Sequence, residues 1–461
     1  MSSVMSERRY RRTSRRTLIR AAGAGLLGAA GVALAGCGQA GSGEGSSPAP
    51  DGTPREVLWG TYTPPSDARA ALLKEMWQMA EQATGVRITV VEETSGTAWE
   101  KRQTEQAAGT TSVDITYNQL NWVVPGGLAG MFVDHLEYFK RDKVDTRQYY
   151  KTEFDNWNWK GKQWGVPFAT GGEVVLYNKK LFDAKGVKYP HKDWTYDEFL
   201  AACQKLNDPA NRKFAVQVGQ NGIHYMMGTF ILNFGGKRLN EAKDKALYGD
   251  DPKSIQGAEL DIDLHTRYGF TPTADALATV PQGKTPLEIE MTAMEFNGVF
   301  RHTNVRASIG AENMDFAPPP KGPGGAQTAS VAGNAWSIVQ LSKAKDAAWK
   351  ALRWIHTREG MLGPQIKAVA WPPLTWAADA PQWKDQFTGT KIAEVSKVWD
   401  TNGHDLLVLP DATDAWPLMS PSPATTPLGR ALAGQISTKE AMQESARLVN
   451  DLFSRRPANW K

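Results

Sequence analysis

The side chains that could bind a metal or catalyse a reaction do not form a recognisable site in this sequence. No two histidines stand three or four residues apart, and GxSxG, GxxxxGK[ST] and CxxC motifs are absent. Asp261 and Asp263 lie in a helical pattern, where residues two apart do not share a face. We therefore interpret both as solvated acids, and we predict no catalytic residue, no metal site and no cofactor.

Aromatic side chains are the positive signal, since the chain has 17 Trp, 15 Phe and 12 Tyr. Trp and Tyr offer an apolar face and a polar edge, which suits a sugar that has C–H faces and hydroxyl groups. Trp77, Trp349 and Trp354 fall in helical stripes and are predicted to be structural. Four others lie beside Gly, Pro, Asn or Asp and are candidates for ligand contact, with core packing as the alternative: Trp122, Trp336, Trp371 and Trp416.

The two cysteines, Cys37 and Cys203, have different predicted roles. Residues 1–36 join an arginine-rich head, which includes Arg15-Arg16, to a short Gly- and Ala-rich apolar run that stops before Cys37. This pattern is typical of a lipoprotein signal peptide with a twin-arginine-like motif. We expect Cys37 to carry lipid, residues 37–54 to be a flexible Gly/Ser/Pro-rich tether, and Cys203 to be a small buried residue.

The basic balance of the whole chain belongs to the signal segment. Residues 1–36 hold seven arginines and Glu7, so their removal changes the net charge from +4 to −2. Without a basic stripe in the remaining chain, nucleic-acid binding is disfavoured. The predicted location is the outer face of the cell membrane, through the lipid on Cys37.

The elements that must position any site alternate between strand and helix. Residues 55–60, 86–91 and 113–117 have strand patterns, and helical patterns at 68–83 and 99–108 separate them. This order predicts a parallel, doubly wound α/β fold, and the length of the mature chain favours two domains. Thr195 with Glu198, and Ser437 with Glu440, have the spacing of capping boxes at helix starts.

Two glycines interrupt a pair of predicted strands. Val166-Pro167-Phe168 stops before Gly171-Gly172, and EVVLY then begins at Glu173. Glycine is used where the backbone must adopt unusual φ and ψ. The pair is either a bulge inside one sheet or a hinge between two lobes, and the local pattern leaves both interpretations open.

Eight ordered segments resemble the extracellular solute-binding proteins of ABC importers, in the group that includes maltodextrin-binding proteins. The tyrosine-asparagine-lysine segment at 177–182, followed by the tryptophan-threonine segment at 194–199, is similar to the family's "YNK-LF … TWDE" signature. The other similar segments are 84–86, 112–115, 159–167, 257–264, 294–298 and 316–322. The proline usual before Asp114 is absent here, and residues 290–294 depart from the usual "GKAAM".

The resemblance implies two doubly wound α/β lobes joined by a hinge, the type II periplasmic-binding-protein fold. Lobe 1 would comprise residues 55–170 and 324–375, and lobe 2 residues 171–323 and 376–461. A ligand would bind between the lobes, and Gly171-Gly172 would be the first hinge. The resemblance also implies a carbohydrate ligand and the permease subunits of an ABC importer as partners.

The resemblance also implies which residues contact the ligand. Tyr225, Phe300 and Trp416 fall at positions that stack on sugar rings in maltodextrin-binding relatives, whereas Asn118 stands where a relative has tryptophan. Strand-end residues are expected to face the cleft, because ligands of α/β sheets bind beyond the carboxyl ends of strands. These further candidates are Thr61, Tyr62, Trp122, Glu173, Asn334 and Trp336.

The resulting prediction is a non-enzymatic receptor that captures a carbohydrate, in the first instance an oligosaccharide. Three alternatives remain open. The same fold could bind a phosphodiester or a polyamine. A surface polysaccharide-degrading enzyme would also be aromatic-rich and lipid-anchored, and its two carboxylates could lie far apart in sequence. An adhesion protein would show no saturable binding of a small ligand.

Overall fold

The structure is a computed structural model. It describes residues 56–61, 69–93, 95–169, 171–218, 222–329, 333–368, 371–401, 409–421, 424–457 and 460. Within these ranges, no helix combines the length and the apolar character that crossing a membrane requires. Cys37 and Tyr62 lie outside the described residues.

The strands of the described ranges form two main sheets and one short hairpin. In chain order they are β1 (Glu56–Thr61), β2 (Arg87–Glu92), β3 (Ile115–Gln119), β4 (Asn158–Trp159), β5 (Lys162–Gln163), β6 (Val166–Ala169), β7 (Glu173–Asn178), β8 (Phe214–Val218), β9 (Thr292–Gly298), β10 (Met314–Ala317) and β11 (Asn334–Ile338).

Helices pack on both faces of these sheets. The α-helices of the described ranges are α1 (Ala70–Thr84), α2 (Ser95–Ala108), α3 (Leu120–Leu128), α4 (His135–Arg141), α5 (Lys151–Asp155), α6 (Lys179–Ala184), α7 (Tyr196–Leu206), α8 (Met226–Asn233), α9 (Pro252–Thr266), α10 (Ala274–Leu277), α11 (His302–Ile309), α12 (Lys345–Trp354), α13 (Arg358–Gly360), α14 (Ile366–Ala368), α15 (Thr375–Ala378), α16 (Pro381–Lys384), α17 (Ile392–Thr401), α18 (Ala412–Leu418), α19 (Pro427–Leu432) and α20 (Thr438–Ser454).

Lobe 1 is built on a five-stranded sheet in the order β2-β1-β3-β11-β6. The strands β2, β1 and β3 run parallel, as the alternation of strands and helices predicts, whereas β11 is antiparallel to both β3 and β6. The helix α1 covers one face because Leu73, Met76, Trp77 and Ala80 recur at helical spacing and are buried. It ends where Gly85 adopts φ of 68°.

Lobe 2 is built on a four-stranded sheet in the order β10-β7-β9-β8, in which only β8 and β9 are parallel among the described pairs. Both predicted capping boxes are confirmed. Thr195 and Glu198 begin α7, and Ser437 and Glu440 begin α20. Cys203 on α7 is fully buried, as predicted. The mixed α/β, two-lobe type II architecture is therefore the fold that the sequence predicts.

The chain passes between the sheets at the glycine pair. The strand β6 ends at Ala169 in the first sheet, and β7 begins at Glu173 in the second. The carbonyl oxygen of Gly172 accepts a hydrogen bond of 3.1 Å from the Val299 backbone N–H, immediately after β9. Two passages of the chain thus lie side by side where the lobes meet, although hinge motion there remains a prediction.

Candidate ligand-binding cleft

Glu173 is the acidic group at the junction of the lobes. It begins β7, pairs in register with Gly298 of β9 and is 2 % exposed. Its carboxylate accepts a hydrogen bond from the hydroxyl of Thr229, which α8 places fully inside lobe 2. Because a buried carboxylate requires hydrogen-bond donors, this end of β7 suits a partner that carries hydroxyl or ammonium groups.

Tyr225 connects Glu173 to lobe 1. It stands at the start of α8 with a partly exposed ring. Burial raises the pKa of its hydroxyl, and the negative charges of Glu173 and of ionised Tyr117 act in the same direction. Tyr117 belongs to β3 of lobe 1, so Tyr225 lies within electrostatic reach of Glu173 in its own lobe and of Tyr117 across the lobe boundary.

Trp416 forms a second contact between the lobes. It lies on α18, where its side chain packs against the helical core of lobe 2 and against a lobe 1 cluster that contains Trp99 and Trp122. The Trp416 ring also stacks on His224, with centroids 4.6 Å apart and planes 17° from parallel. Trp122 is mostly buried and stacks on Trp99 at 5.8 Å.

Phe300 and Asn334 lie near the crossing itself. The Phe300 ring covers Gly298, the register partner of Glu173, and the side chain packs against a buried cluster that contains residues of both lobes. Asn334 begins β11 and pairs with Gln119 on one side and with Ala169 on the other. We use the name cleft group for the set made of Tyr117, Glu173, His224, Tyr225, Thr229, Phe300, Asn334 and Trp416.

Three other sequence candidates are enclosed in lobe 1. Trp336 is 1 % exposed and packs on Trp59, Tyr117 and Phe168, so the structure gives it a core role. Asn118 is fully buried on the opposite face of β3, and its Nδ2 donates to Ser337 Oγ at 2.9 Å. Thr61 at the end of β1 is 2 % exposed. We do not include these three in the cleft group, because they are enclosed within lobe 1.

Four further tryptophans are buried as well: the ligand candidate Trp371, and Trp77, Trp349 and Trp354. Trp371 packs on Trp383 with centroids 4.4 Å apart, which is a core contact. The structural role predicted for the other three tryptophans, from their helical spacing, is confirmed.

Sequence reasoning missed three members of the cleft group: Tyr117, His224 and Thr229. Each stands one to four residues from a predicted candidate. Their closeness in sequence to Asn118 or Tyr225 is the feature that could have identified them. The interpretation of Asp261 as solvated was wrong, because α9 places it only 1 % exposed. No group of three or more potential metal ligands is present among the residues that the structure describes.

Comparison with known families identifies the fold and its role. The profile of the family described as bacterial extracellular solute-binding protein matches residues 75–388. Among curated proteins, the erythritol/L-threitol-binding protein of Mycolicibacterium smegmatis is 24 % identical over 390 residues, which cover 76 % of this chain and 79 % of that protein. The maltotriose-binding protein of Pyrococcus abyssi is 23 % identical over 244 residues, covering 51 % of this chain and 49 % of that protein.

Solved structures of similar fold are ABC solute-binding proteins. One from Listeria monocytogenes, in complex with cycloalternan, has a TM-score of 0.76 at 19 % identity and covers 87 % of this chain and 99 % of its own. One from Agrobacterium radiobacter, in complex with ribitol, has a TM-score of 0.72 at 19 % identity, with 86 % and 98 % covered. The chain therefore belongs to the bacterial extracellular solute-binding proteins, which bind solutes rather than convert them.

Proposed function

We propose that this protein captures a neutral polyhydroxylated solute, a sugar or sugar alcohol, between its lobes and delivers it to the permease of an ABC importer. The observation that carries this proposal is that Tyr225 of lobe 2 lies within electrostatic reach of the Glu173 carboxylate and of Tyr117 in lobe 1. A carboxylate accepts hydrogen bonds from hydroxyl groups, and the two aromatic rings can pack against C–H faces.

The charge of the cleft group argues against an anionic solute. Its charged side chain is Glu173, and His224 is neutral because burial, together with the positive charge of Arg238, lowers the pKa of its imidazole to about 3. A phosphodiester is recognised by Arg or Lys forks, and a buried carboxylate would repel it. A polyamine would match Glu173, but not the rings and hydroxyls that make up the rest of the group.

The proteins of similar sequence or fold support the same class of ligand. The names of the relatives include erythritol, L-threitol and maltotriose, and the solved structures contain cycloalternan or ribitol. Asn118 lies inside lobe 1 instead of presenting a ring to the cleft. This arrangement leaves Tyr225, Phe300 and Trp416 as the ring positions that we propose for stacking.

Capture requires the lobes to close on the solute. A ligand that binds the closed form more tightly shifts the population toward that form, and a short segment such as Gly171-Gly172 can absorb the backbone change. We further propose that Cys37 carries a lipid that holds the mature protein at the outer face of the cell membrane, with residues 37–54 as the tether.

A thermal-shift screen of the mature chain tests the function. Erythritol, ribitol and maltotriose are the probes, with spermidine and glycerophosphocholine as the competing classes. A ligand present at 100 times its Kd stabilises the folded state by about 2.7 kcal/mol, which raises the melting temperature measurably. A shift with spermidine or glycerophosphocholine alone would refute the proposal, and shortening of maltotriose during incubation would indicate an enzyme.

A further inference from the structure

His224 occupies the boundary between the lobes, and its ring nitrogen Nδ1 has no hydrogen-bond partner in the described structure. Its ring stacks on Trp416 and stands 6.1 Å, edge to face, from the Tyr225 ring. Nδ1 is enclosed and has no partner, and the indole N–H of Trp416 is in the same condition. A buried polar atom is stabilised by a hydrogen-bond partner, and a solute bound between the lobes can supply one to these two adjacent rings.

The backbone around His224 is arranged to make room for this ring. A Cβ on Gly222 would lie 2.8 Å from the His224 ring carbon Cε1 and 2.9 Å from the carbonyl oxygen of Met419. Gly222 also has φ of +147°, which side chains rarely adopt. Arg238, 2 % exposed, donates from Nη1 to the carbonyl oxygen of Ile223 at 3.1 Å. Gly222 and Arg238 thus fix the turn that carries His224.

The chemistry of the ring fits a hydroxyl group. A neutral imidazole has one nitrogen that donates and one that accepts. Burial lowers the pKa of the imidazole and keeps it neutral, and the positive charge of Arg238 acts in the same direction, while the rings of Trp416 and Tyr225 that face it carry no charge. A hydroxyl can donate to one nitrogen or accept from the other, whereas an ammonium group can only donate and a phosphodiester can only accept.

We propose that His224 is a ligand-contacting residue that determines specificity for hydroxyl groups, and that Gly222 and Arg238 position it against Trp416. This inference rests on the proposed function, because it assigns a residue to the same cleft. It predicts that the solute supplies the hydrogen-bond partner that Nδ1 lacks. His224 would then contribute to affinity in the liganded protein and contribute little to the stability of the free protein.

Replacement of His224 by Phe tests this assignment, because Phe keeps the stack on Trp416 and removes both nitrogens. The matched control is His265→Phe in the same lobe, where Nδ1 already pairs with Thr271 Oγ1 at 2.7 Å. Calorimetric titration with erythritol, ribitol and maltotriose gives Kd for each protein, and thermal melts without ligand give the stability. We expect H224F to bind the probe at least tenfold more weakly and to melt no lower than the wild type.

The control should behave in the opposite way, with a lower melting temperature and an unchanged Kd, because it removes a hydrogen bond that the free protein makes. The inference is overturned if H224F binds within twofold of the wild type. It is also overturned if free H224F melts several degrees lower, since His224 would then be a structural residue. A wild type that binds none of the three probes overturns the proposed function, and this inference with it.

Discussion

Asp261 is a buried acid whose replacement should stabilise the protein. It lies on α9 between Leu260 and Ile262, residues of two different core clusters of lobe 2, and its Oδ1 has no hydrogen-bond partner. Burial raises the pKa of its carboxyl from 3.8 to about 7. Because the folded protein holds this proton more tightly than the unfolded chain, the folded state loses stability as the pH rises from about 4 to about 7.

The size of the effect follows from the pKa shift. One pKa unit corresponds to about 1.4 kcal/mol, so the shift of Asp261 lowers the free energy of unfolding by about 4 kcal/mol, as an upper limit, once the pH exceeds 7. Asp261→Asn removes the ionisation but introduces a buried amide N–H₂, which costs about 1–3 kcal/mol if it stays unpaired. We therefore expect a net gain of about 1–3 kcal/mol at pH 8 and no gain, or a small loss, at pH 4.

Urea unfolding at pH 4, 6 and 8 measures this difference. The control is Asp263→Asn, two residues along the same helix, where the carboxylate is partly exposed and pairs with Arg267 at 3.6 Å. Exposed pairs of this kind contribute about 0–1 kcal/mol, so the control should show little change with pH. If D261N and the wild type differ equally at pH 4 and pH 8, Asp261 ionises normally and its burial has no electrostatic consequence.

Three further predictions concern the site, the hinge and the anchor. Tyr225→Ala should weaken ligand binding about tenfold with a modest loss of stability. Trp349→Ala, in the core of lobe 1, should lower the free energy of unfolding by about 3–5 kcal/mol and leave Kd unchanged. Calorimetric titration and thermal melts measure both quantities, and a Tyr225→Ala protein that melts early but binds normally would place the site elsewhere. Replacing Gly171 and Gly172 together by Val should change the small-angle scattering of the liganded form while each lobe stays folded; unchanged scattering would mean that the pair is a fixed crossing between the two sheets and not a hinge. Mass spectrometry of the native N-terminus should find lipidated Cys37, and an unmodified chain that retains residues 1–36 would contradict the anchor.

Local signals in the sequence predicted the elements and their order well, because each depends on near neighbours. The capping boxes of α7 and α20 need only a hydroxyl and a glutamate three residues apart. The end of α1 needs only Gly85, whose left-handed φ costs nothing without a side chain. Strand β7 was predicted as EVVLY from its own β-branched and aromatic residues.

The antiparallel insertion of β11 between β3 and β6 had no such local signal. Residues 334–338 return to lobe 1 after more than 160 residues of separation from β6, and they pair with Ala169 at one edge and Gln119 at the other. Strand propensity indicates that such a segment is extended, but it does not indicate which neighbour it joins. The sequence therefore predicted a parallel sheet, and within the lobe 1 sheet this holds for β2, β1 and β3 alone.

The candidate site was harder to predict than the fold. The end of a strand indicates at which edge of the sheet a residue lies, but it does not indicate on which face its side chain lies. Side chains alternate along a strand, so Tyr117 and Asn118 leave β3 on opposite sides, the first toward Tyr225 and the second toward Ser337. Trp336 is the register partner of Tyr117 and packs on its ring, so it lies on the same face of the sheet and is nevertheless buried in the core of lobe 1. Choosing between neighbours requires knowing what packs on each face, and that depends on elements far away in the chain.

The contact between His224 and Trp416 shows this dependence most clearly. The two rings are separated by 192 positions in the sequence, and they meet because α18 packs over the turn before α8 while its other side contacts α3 of lobe 1. A single buried cluster thus includes side chains from both lobes beside the candidate cleft. We expect a change in the angle between the lobes to alter the surroundings of Trp416, so its ring should report closure. Its position between the two lobes, rather than its residue type, is what makes Trp416 a stronger site candidate than the other tryptophans that the sequence analysis considered.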